Sequence, residues 1–332
     1  MHYLKFTSLL GLCGVALGAS NAKAASGCGS SAPPFKLGKL SDNQNITTKD
    51  GKRRYRVYLP LSYKQSQETP VILSFHGANG NIEKQCKLDG LTEDWRNNKY
   101  VVVYLQGLAT PDDPTRTAWQ VDPRATTDDL AFTAAVLDEV QSRLCVRASQ
   151  VYAVGKSQGG GMVNLLACDA ALSARVAAFA PVSGAYYIHN TSKAQCDRKD
   201  SIQFPDCRPS RKNMPLIAFH GGADPTIPFD GTHRRATNSC LPSIPHWINE
   251  WVKREGLDVA SGRTTPIKGS KDGGNKTVWG GGSKGQVEFV YDGDTIPHDW
   301  PSTVPNSDNG GANLTSFNAT EYILKFVDGR SL

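Results

Sequence analysis

The chain has 332 residues, 39% hydrophobic and 20% charged, which is enough to bury one large core and long for one domain unless that domain is an α/β enzyme. Its 37 Lys+Arg and 31 Asp+Glu give a formal charge of +6 that is spread along the chain, a pattern that argues against nucleic-acid binding. Neither a C-x-x-C pair nor a Cys/His cluster has metal-ligand spacing, so no metal site is expected.

At the N-terminus, Lys5 precedes an apolar core from Phe6 to Ala19, and the stretch ends Ala22-Lys23-Ala24. That is the pattern of a secretory signal peptide over residues 1–24 with an A-x-A cleavage site, its apolar run too short to span a bilayer. Its removal takes away Lys5 and Lys23, lowering the formal charge from +6 to +4, and takes Cys13 with them. No later stretch is apolar enough for a membrane span, and there is no Ser/Thr/Pro linker or repeat. The expectation is a secreted, soluble, extracellular monomer whose residues 25–332 form a single catalytic domain.

Residues 25–50 are small and polar and read as a surface lead-in tied down through Cys28. Arg54 to Leu59 alternates with period two, as a half-buried strand does. Pro70 to Phe75 and Tyr100 to Leu105 read as buried strands. The first opens into His76-Gly77-Ala78-Asn79-Gly80-Asn81. Thr127 is the expected N-cap of a helix running to about Leu144, with Asp128 and Asp129 in its first turn. Val151 to Val154 is a short buried strand, Met162 to Ala167 is helix-forming, and Val176 to Val182 is a further strand. The polar stretch from Tyr186 to Asn213 reads as an excursion stapled by a disulfide. A strand at 215–219, an amphipathic helix at 243–255, three β-type runs ending with Val287 to Tyr291, and a helix at 316–326 complete the chain. Buried strands alternating with helices mean a mostly parallel sheet covered on both faces, an α/β fold.

Between the strand at 151–154 and the helix that follows lies Gly155-Lys156-Ser157-Gln158-Gly159, a G-x-S-x-G pattern in strand–turn–helix context. A serine there sits in a strained turn with its hydroxyl exposed at the top of the sheet, and small residues on either side let strand and helix pass closely. The bland reading is a plain strand-to-helix turn. A control copy, Gly281-Gly282-Ser283-Lys284-Gly285, has no buried strand before it and no helix after it, and reads as a turn. Asp224 follows the strand at 215–219, and His298 follows the strand at 287–291. The order Ser157…Asp224…His298 is that of an α/β hydrolase, and it supplies a nucleophile, an orienting acid and a general base. His76, His189, His220, His233 and His246 lie in strand-end loops, polar segments or a predicted helix, so His298 is preferred. Asp292, Asp294 and Asp299 are rival acids within the histidine's own segment. A base near its ordinary pKa predicts activity rising through about pH 6 to 7. The backbone N–H groups of Ala78 and Gln158 are the expected oxyanion donors. Trp119, Tyr186, Tyr187 and Trp300 are aromatic residues near strand ends, as suited to packing as to a substrate wall.

Seven cysteines follow the leader: Cys28, Cys86, Cys145, Cys168, Cys196, Cys207 and Cys240. In an oxidising compartment at most three bridges close and one thiol is left over. A Cys145–Cys168 bridge and a free buried cysteine at either position are both compatible with the spacing. Sequons at Asn45, Asn190, Asn275, Asn313 and Asn318 predict glycosylated surface segments.

Val-Gly-Lys-Ser-Gln-Gly-Gly-Gly with Leu-Leu-Ala-Cys-Asp, then Ala-Phe-His-Gly-Gly-Ala-Asp-Pro-Thr-Ile-Pro-Phe-Asp-Gly and Pro-His-Asp-Trp-Pro, resembles the fungal feruloyl esterases of the type C/D group. These belong to carbohydrate esterase family 1, a polyhydroxybutyrate-depolymerase-like branch of the α/β hydrolases. The resemblance implies hydrolysis of ferulate esters on plant cell-wall arabinoxylan or pectin, without a cofactor, by Ser157, Asp224 and His298. Ile296-Pro297 stands where that family usually has glycines. Lys156 and Asp299 replace the cysteines that flank serine and histidine in the tannase-like group. The alternatives are an acetylxylan esterase or a polyester depolymerase and, from another class, a catalytically silent binding protein on a hydrolase fold.

Overall fold

The computed structural model describes residues 27–29, 32–197, 200–204, 207–270, 272–281 and 286–332. The predicted leader over residues 1–24 and Gly282 to Gly285 of the control copy, Ser283 included, lie outside the described residues.

Fourteen strands and seven α-helices are described. Ten strands form one sheet: β1 (Gln44–Thr48), β2 (Gly51–Tyr58), β3 (Thr69–Phe75), β4 (Val101–Leu105), β7 (Val146–Lys156), β8 (Ala178–Val182), β9 (Leu216–His220), β12 (Arg263–Pro266), β13 (Asn275–Gly280) and β14 (Gln286–Tyr291). Two ribbons stand apart, β5 (Leu108–Thr110) with β6 (Asp113–Ala118) and β10 (Thr232–Arg234) with β11 (Ser239–Leu241). The helices are α1 (Ile82–Asp89), α2 (Asp129–Arg143), α3 (Gln158–Cys168), α4 (Ala170–Ser173), α5 (Lys193–Cys196), α6 (Ile244–Arg254) and α7 (Ala319–Val327).

The spatial order is β1-β2-β4-β3-β7-β8-β9-β14-β13-β12. The six strands from β4 to β14 run parallel, flanked on each side by two antiparallel strands. The parallel strands are apolar on both faces because helices cover both. Leu73, Val103 and Ala153 point into one core with Phe132, Met162 and Trp247 from α2, α3 and α6. Ile72, Val102 and Val154 point into the other, with Ile82 and Ile323 from α1 and α7. The chain order reverses at β3, which has β4 on one side and β7 on the other. In such sheets that reversal opens a crevice beyond the strands' carboxyl ends.

The predicted strands match the described ones to within a few residues, and four differences have physical causes. The lead-in contains an edge strand, β1, whose alternate exposed polar residues gave it no apolar signal. Helix α1 has low apolar content, and its marks are terminal: the Asn81 side chain accepts from Lys84 N–H, and Gly90 closes the helix in the left-handed region at φ 60°. The cap of α2 is Asp128, whose carboxylate accepts from Ala131 N–H, and not Thr127. The last helix starts three residues later than predicted, behind an Asn318 cap. That asparagine is 4% exposed and its side chain bonds Thr320 N–H and Ser302, so its sequon does not lie on the surface. Asn45 and Asn190 are exposed, and Asn275 and Asn313 are half-buried.

Three disulfides join Cys28 to Cys145, Cys168 to Cys207 and Cys196 to Cys240. The Cys145–Cys168 pairing is therefore not formed. The excursion is not closed on itself either, since Cys207 ties it to the end of α3 and Cys196 ties it to β11. Cys86, on α1, is the free thiol among the described residues, and burial pushes it up to about 11.

Candidate active site

Strand β7 ends at Lys156 and α3 begins at Gln158, leaving Ser157 alone to turn the chain. It does so at φ 58°, ψ −118°, a region that costs an L-residue about 1–3 kcal/mol and persists only where the surroundings impose it. They do impose it. Ser157 N–H donates to Val182 O at 2.9 Å, and Ser157 O accepts from Ala185 N–H at 2.9 Å and Gly161 N–H at 3.0 Å. The flanking glycines permit the close pass. A Cβ on Gly155 would stand 2.4 Å from Gly159 O, and one on Gly159 would stand 2.1 Å from Phe75 O.

Asp224 lies in the loop after β9 and is 4% exposed. Its Oδ1 accepts from Thr226 and Ile227 N–H, each at 2.8 Å, which fixes the carboxylate plane. Its Oδ2 takes His298 Nδ1 at 2.6 Å, and His220 Nε2 lies 3.2 Å away. Burial works to raise this carboxyl, but the hydrogen bonds from His220 and His298 outweigh it and hold the group well below the usual carboxylate range. Asp224 is thus an anion at any working pH, and the proton of His298 resides on Nδ1. The other ring nitrogen, Nε2, is buried and has no hydrogen-bond partner among the described residues. Burial lowers the His298 pKa below the ordinary 6.5, Asp224 partly offsets it, and the charge of Lys156 adds to the lowering. The sequence expectation of an ordinary pKa is corrected accordingly, and the cause is desolvation.

The rival acids are excluded by their surroundings. Asp294 bonds the Tyr291 hydroxyl. Asp292 is buried with both oxygens unpartnered, and burial followed by repulsion from Asp224 raises it well above the carboxylate range. Asp299 is raised by burial too. Among the other histidines, His189, His233 and His246 each bond a backbone carbonyl. His76 accepts from Gly107 N–H at Nε2 (3.0 Å), lies 2.7 Å from Gly77 O through Nδ1, and is lowered to about 4 by burial.

The loop after β3 passes close to the serine. A Cβ on Gly77 would stand 3.3 Å from Ser157 Cβ. Gln158, the first residue of α3, has an N–H without an intrahelical acceptor. The Ala78 N–H donates to no carbonyl of the described residues, while its neighbour Asn79 N–H is pinned to Thr117 O at 2.8 Å. Both N–H groups are therefore open beside Ser157. Lys156 reaches across to Asp308 at 3.2 Å, which in turn accepts from Trp300 N–H, fastening the histidine segment to the elbow.

Two of the aromatic candidates are not walls. Trp119 is fully buried and donates from Nε1 to His76 O at 2.7 Å, holding the loop from below. Trp300 is 1% exposed and donates to Thr320 Oγ1. Position near a strand end does not tell which side of the loop a ring faces. Tyr186 stacks on Trp247 at 3.7 Å between ring centroids and borders a cavity of about 150 Å³ with Tyr187, Phe204 and Trp251. Ala185, which bonds Ser157 O, immediately precedes it. No sequence pattern marks Gln158 Nε2 as donating to the buried Asp122 at 2.5 Å, or His220 as bracing Asp224.

The chain is 30% identical over 309 residues to feruloyl esterase D of Neurospora crassa, a match covering 90% of this chain and 91% of that protein. It is 25% identical over 254 residues to feruloyl esterase B of Piromyces equi, covering 72% of this chain. There the match spans only 44% of the relative, less than half its length. Among solved structures, an acetyl xylan esterase from Aspergillus awamori has the same fold, with a TM-score of 0.58 at 14% identity over 87% of this chain and 98% of that one. No protein-family model matches the chain.

Proposed function

We propose that this chain, which belongs to the feruloyl esterase family, is a secreted serine esterase that releases ferulic and related hydroxycinnamic acids from ester links to plant cell-wall polysaccharide such as arabinoxylan or pectin. It is a carboxylic ester hydrolase. The observation that carries the reading is His298, bonded through Nδ1 to an ionised Asp224 with Nε2 buried and unpartnered, in a chain whose only strained strand-to-helix turn of G-x-S-x-G form among the described residues carries Ser157.

In this reading, Nε2 takes the proton of Ser157 Oγ as the oxygen attacks the ester carbonyl carbon. The carbonyl π electrons move onto oxygen, and the Ala78 and Gln158 N–H groups receive that charge. Collapse breaks the bond to the sugar oxygen, which leaves with the proton from His298. A water molecule then gives its proton to His298, attacks the acyl carbon and frees the acid, and Ser157 recovers its proton. Asp224 stays ionised throughout, fixing the tautomer and stabilising the imidazolium.

The three disulfides fit an oxidising, extracellular compartment. Initial rates on methyl ferulate, methyl sinapate, p-nitrophenyl acetate and a hydroxybutyrate oligomer test the reading. The expected result is a kcat/KM for the two hydroxycinnamates at least about tenfold above that for the oligomer, with methyl ferulate hydrolysed at a measurable rate. Activity on acetate or the oligomer alone replaces it with one of the other esterase readings, and no activity on any of the four leaves the binding-protein reading.

A further inference from the structure

A second cavity of about 500 Å³ is bordered by Arg116, Arg124, Arg234, His233 and Tyr187. Arg116 on β6 and Arg124 in the loop before α2 are near in sequence, and Arg234 on β10 is brought to them from far along the chain. One buried carboxylate serves two of them: Asp122 takes Nε of Arg124 at 3.0 Å and Nη2 of Arg116 at 3.3 Å. No described carboxylate pairs with Arg234, which is half-buried and lies near the Tyr187 hydroxyl. Among the described residues the exposed Asp112 and His189 also act electrostatically on Asp122. With Arg116 and Arg124 sharing Asp122 and Arg234 unpaired, the three arginines carry more positive charge than the one carboxylate offsets, and they border an open cavity. That arrangement favours an anion with the planar, two-oxygen geometry of a carboxylate. The cavity is also coupled to the chemistry, because Asp122 accepts from Gln158 Nε2, and Gln158 follows Ser157.

We propose that this cavity is a subsite for a carboxylate carried by the polysaccharide, a uronate near the esterified sugar, so that acidic polymers are the preferred substrates. The proposal rests on the esterase reading only for the identity of the polymer. The carboxylate is held by Arg234 and by the free faces of Arg116 and Arg124, with Tyr187 able to donate to it. The neutral part of the chain lies across the mouth of the elbow.

The test uses the full-length protein carrying Ser157→Ala, so that nothing turns over, and titrates it with an oligogalacturonide and with a neutral xylo-oligosaccharide of equal length. The acidic oligomer should bind at least about tenfold more tightly at low salt, and its affinity should fall steeply as salt is raised. Arg234→Gln should cost about tenfold for the acidic oligomer and leave the neutral one unchanged. Arg124→Gln provides a second variant should the first fold poorly. Equal affinity for the two oligomers, or acidic binding that survives both arginine substitutions, overturns the proposal. So does displacement of the oligogalacturonide by equimolar inorganic sulfate, which marks an unselective anion patch. Methyl ferulate carries no uronate, so its hydrolysis by the wild-type enzyme reports on the esterase reading separately.

Discussion

Two histidines, His220 at the end of β9 and His298 in the loop after the neighbouring parallel strand β14, converge on the same carboxylate, and they use it differently. His220 Nε2 lies 3.2 Å from Asp224 Oδ2 and 2.8 Å from Ile227 O, so its proton is taken up inside the loop that Asp224 itself forms. His298 reaches the same Oδ2 through Nδ1 and keeps Nε2 unpartnered. One imidazole is closed and braces the acid, while the other is open and is left with a basic nitrogen. The comparison teaches that residue type and an acidic neighbour do not make a base. What matters is which nitrogen is left over after the fold has taken what it needs.

The sharpest way to break this comparison is to remove the groups on the open side. Ser157→Ala should lower kcat about 10⁶-fold with the fold intact, and His298→Ala should cost a similar factor. The double variant should lose little more than either, because the two groups act as one unit. Near-full activity in Ser157→Ala, or active-site labelling on Ser283, removes Ser157 from the mechanism.

A smaller loss should follow from changing what the two histidines share. Asp224→Asn should cost about 10⁴-fold, since an amide in place of the carboxylate favours the wrong tautomer of His298. His220→Gln should cost only about tenfold, through a less firmly held Asp224. If His220→Gln proves as damaging as His298→Ala, the open and closed roles have been assigned to the wrong rings.

The finest distinction is in pH. A base must be neutral to accept a proton, and burial lowers the His298 pKa below 6.5. The kcat/KM for methyl ferulate should therefore fall only as the solution is acidified past a midpoint below 6.5, and stay level from there towards neutrality. A midpoint above 6.5 would mean that Asp224 outweighs burial, or that another group is titrating.

Much of this frame was legible in the chain itself, because each piece has a local cause. Apolar runs such as 71–75 and 101–105 need no partner to be recognised as buried strands, and the glycines around Ser157 mark a tight turn wherever it lies. The order of the three candidate residues follows from strand ends, which are local too. What was not legible depends on distant segments meeting. The partners of seven cysteines cannot be read from spacing, and the cavity arginines belong to three separate segments. Arg53, fully buried and paired with Asp129 at 2.5 Å, stands just before the strand read at 54–59, and no neighbour in sequence marks it as buried. Trp119 and Trp300 failed as substrate walls for a related reason, since a ring at a strand end can face inward or outward with the same local sequence.

The sheet is open, and its outermost strands are β1 and β12. Outer strands carry unpaired backbone groups that another chain can extend, so they are where a protein at high concentration risks self-association. The two sides are guarded unequally. All four residues of β12 are exposed, and it has Arg263 at one end and Pro266 at the other, a charge and a residue that cannot donate. Strand β1 has neither a proline nor a charge, and its exposed Asn45 carries a sequon. A sugar chain at Asn45 would stand on that unprotected border, so material made in a host that adds no glycans should be the form that clumps along β1.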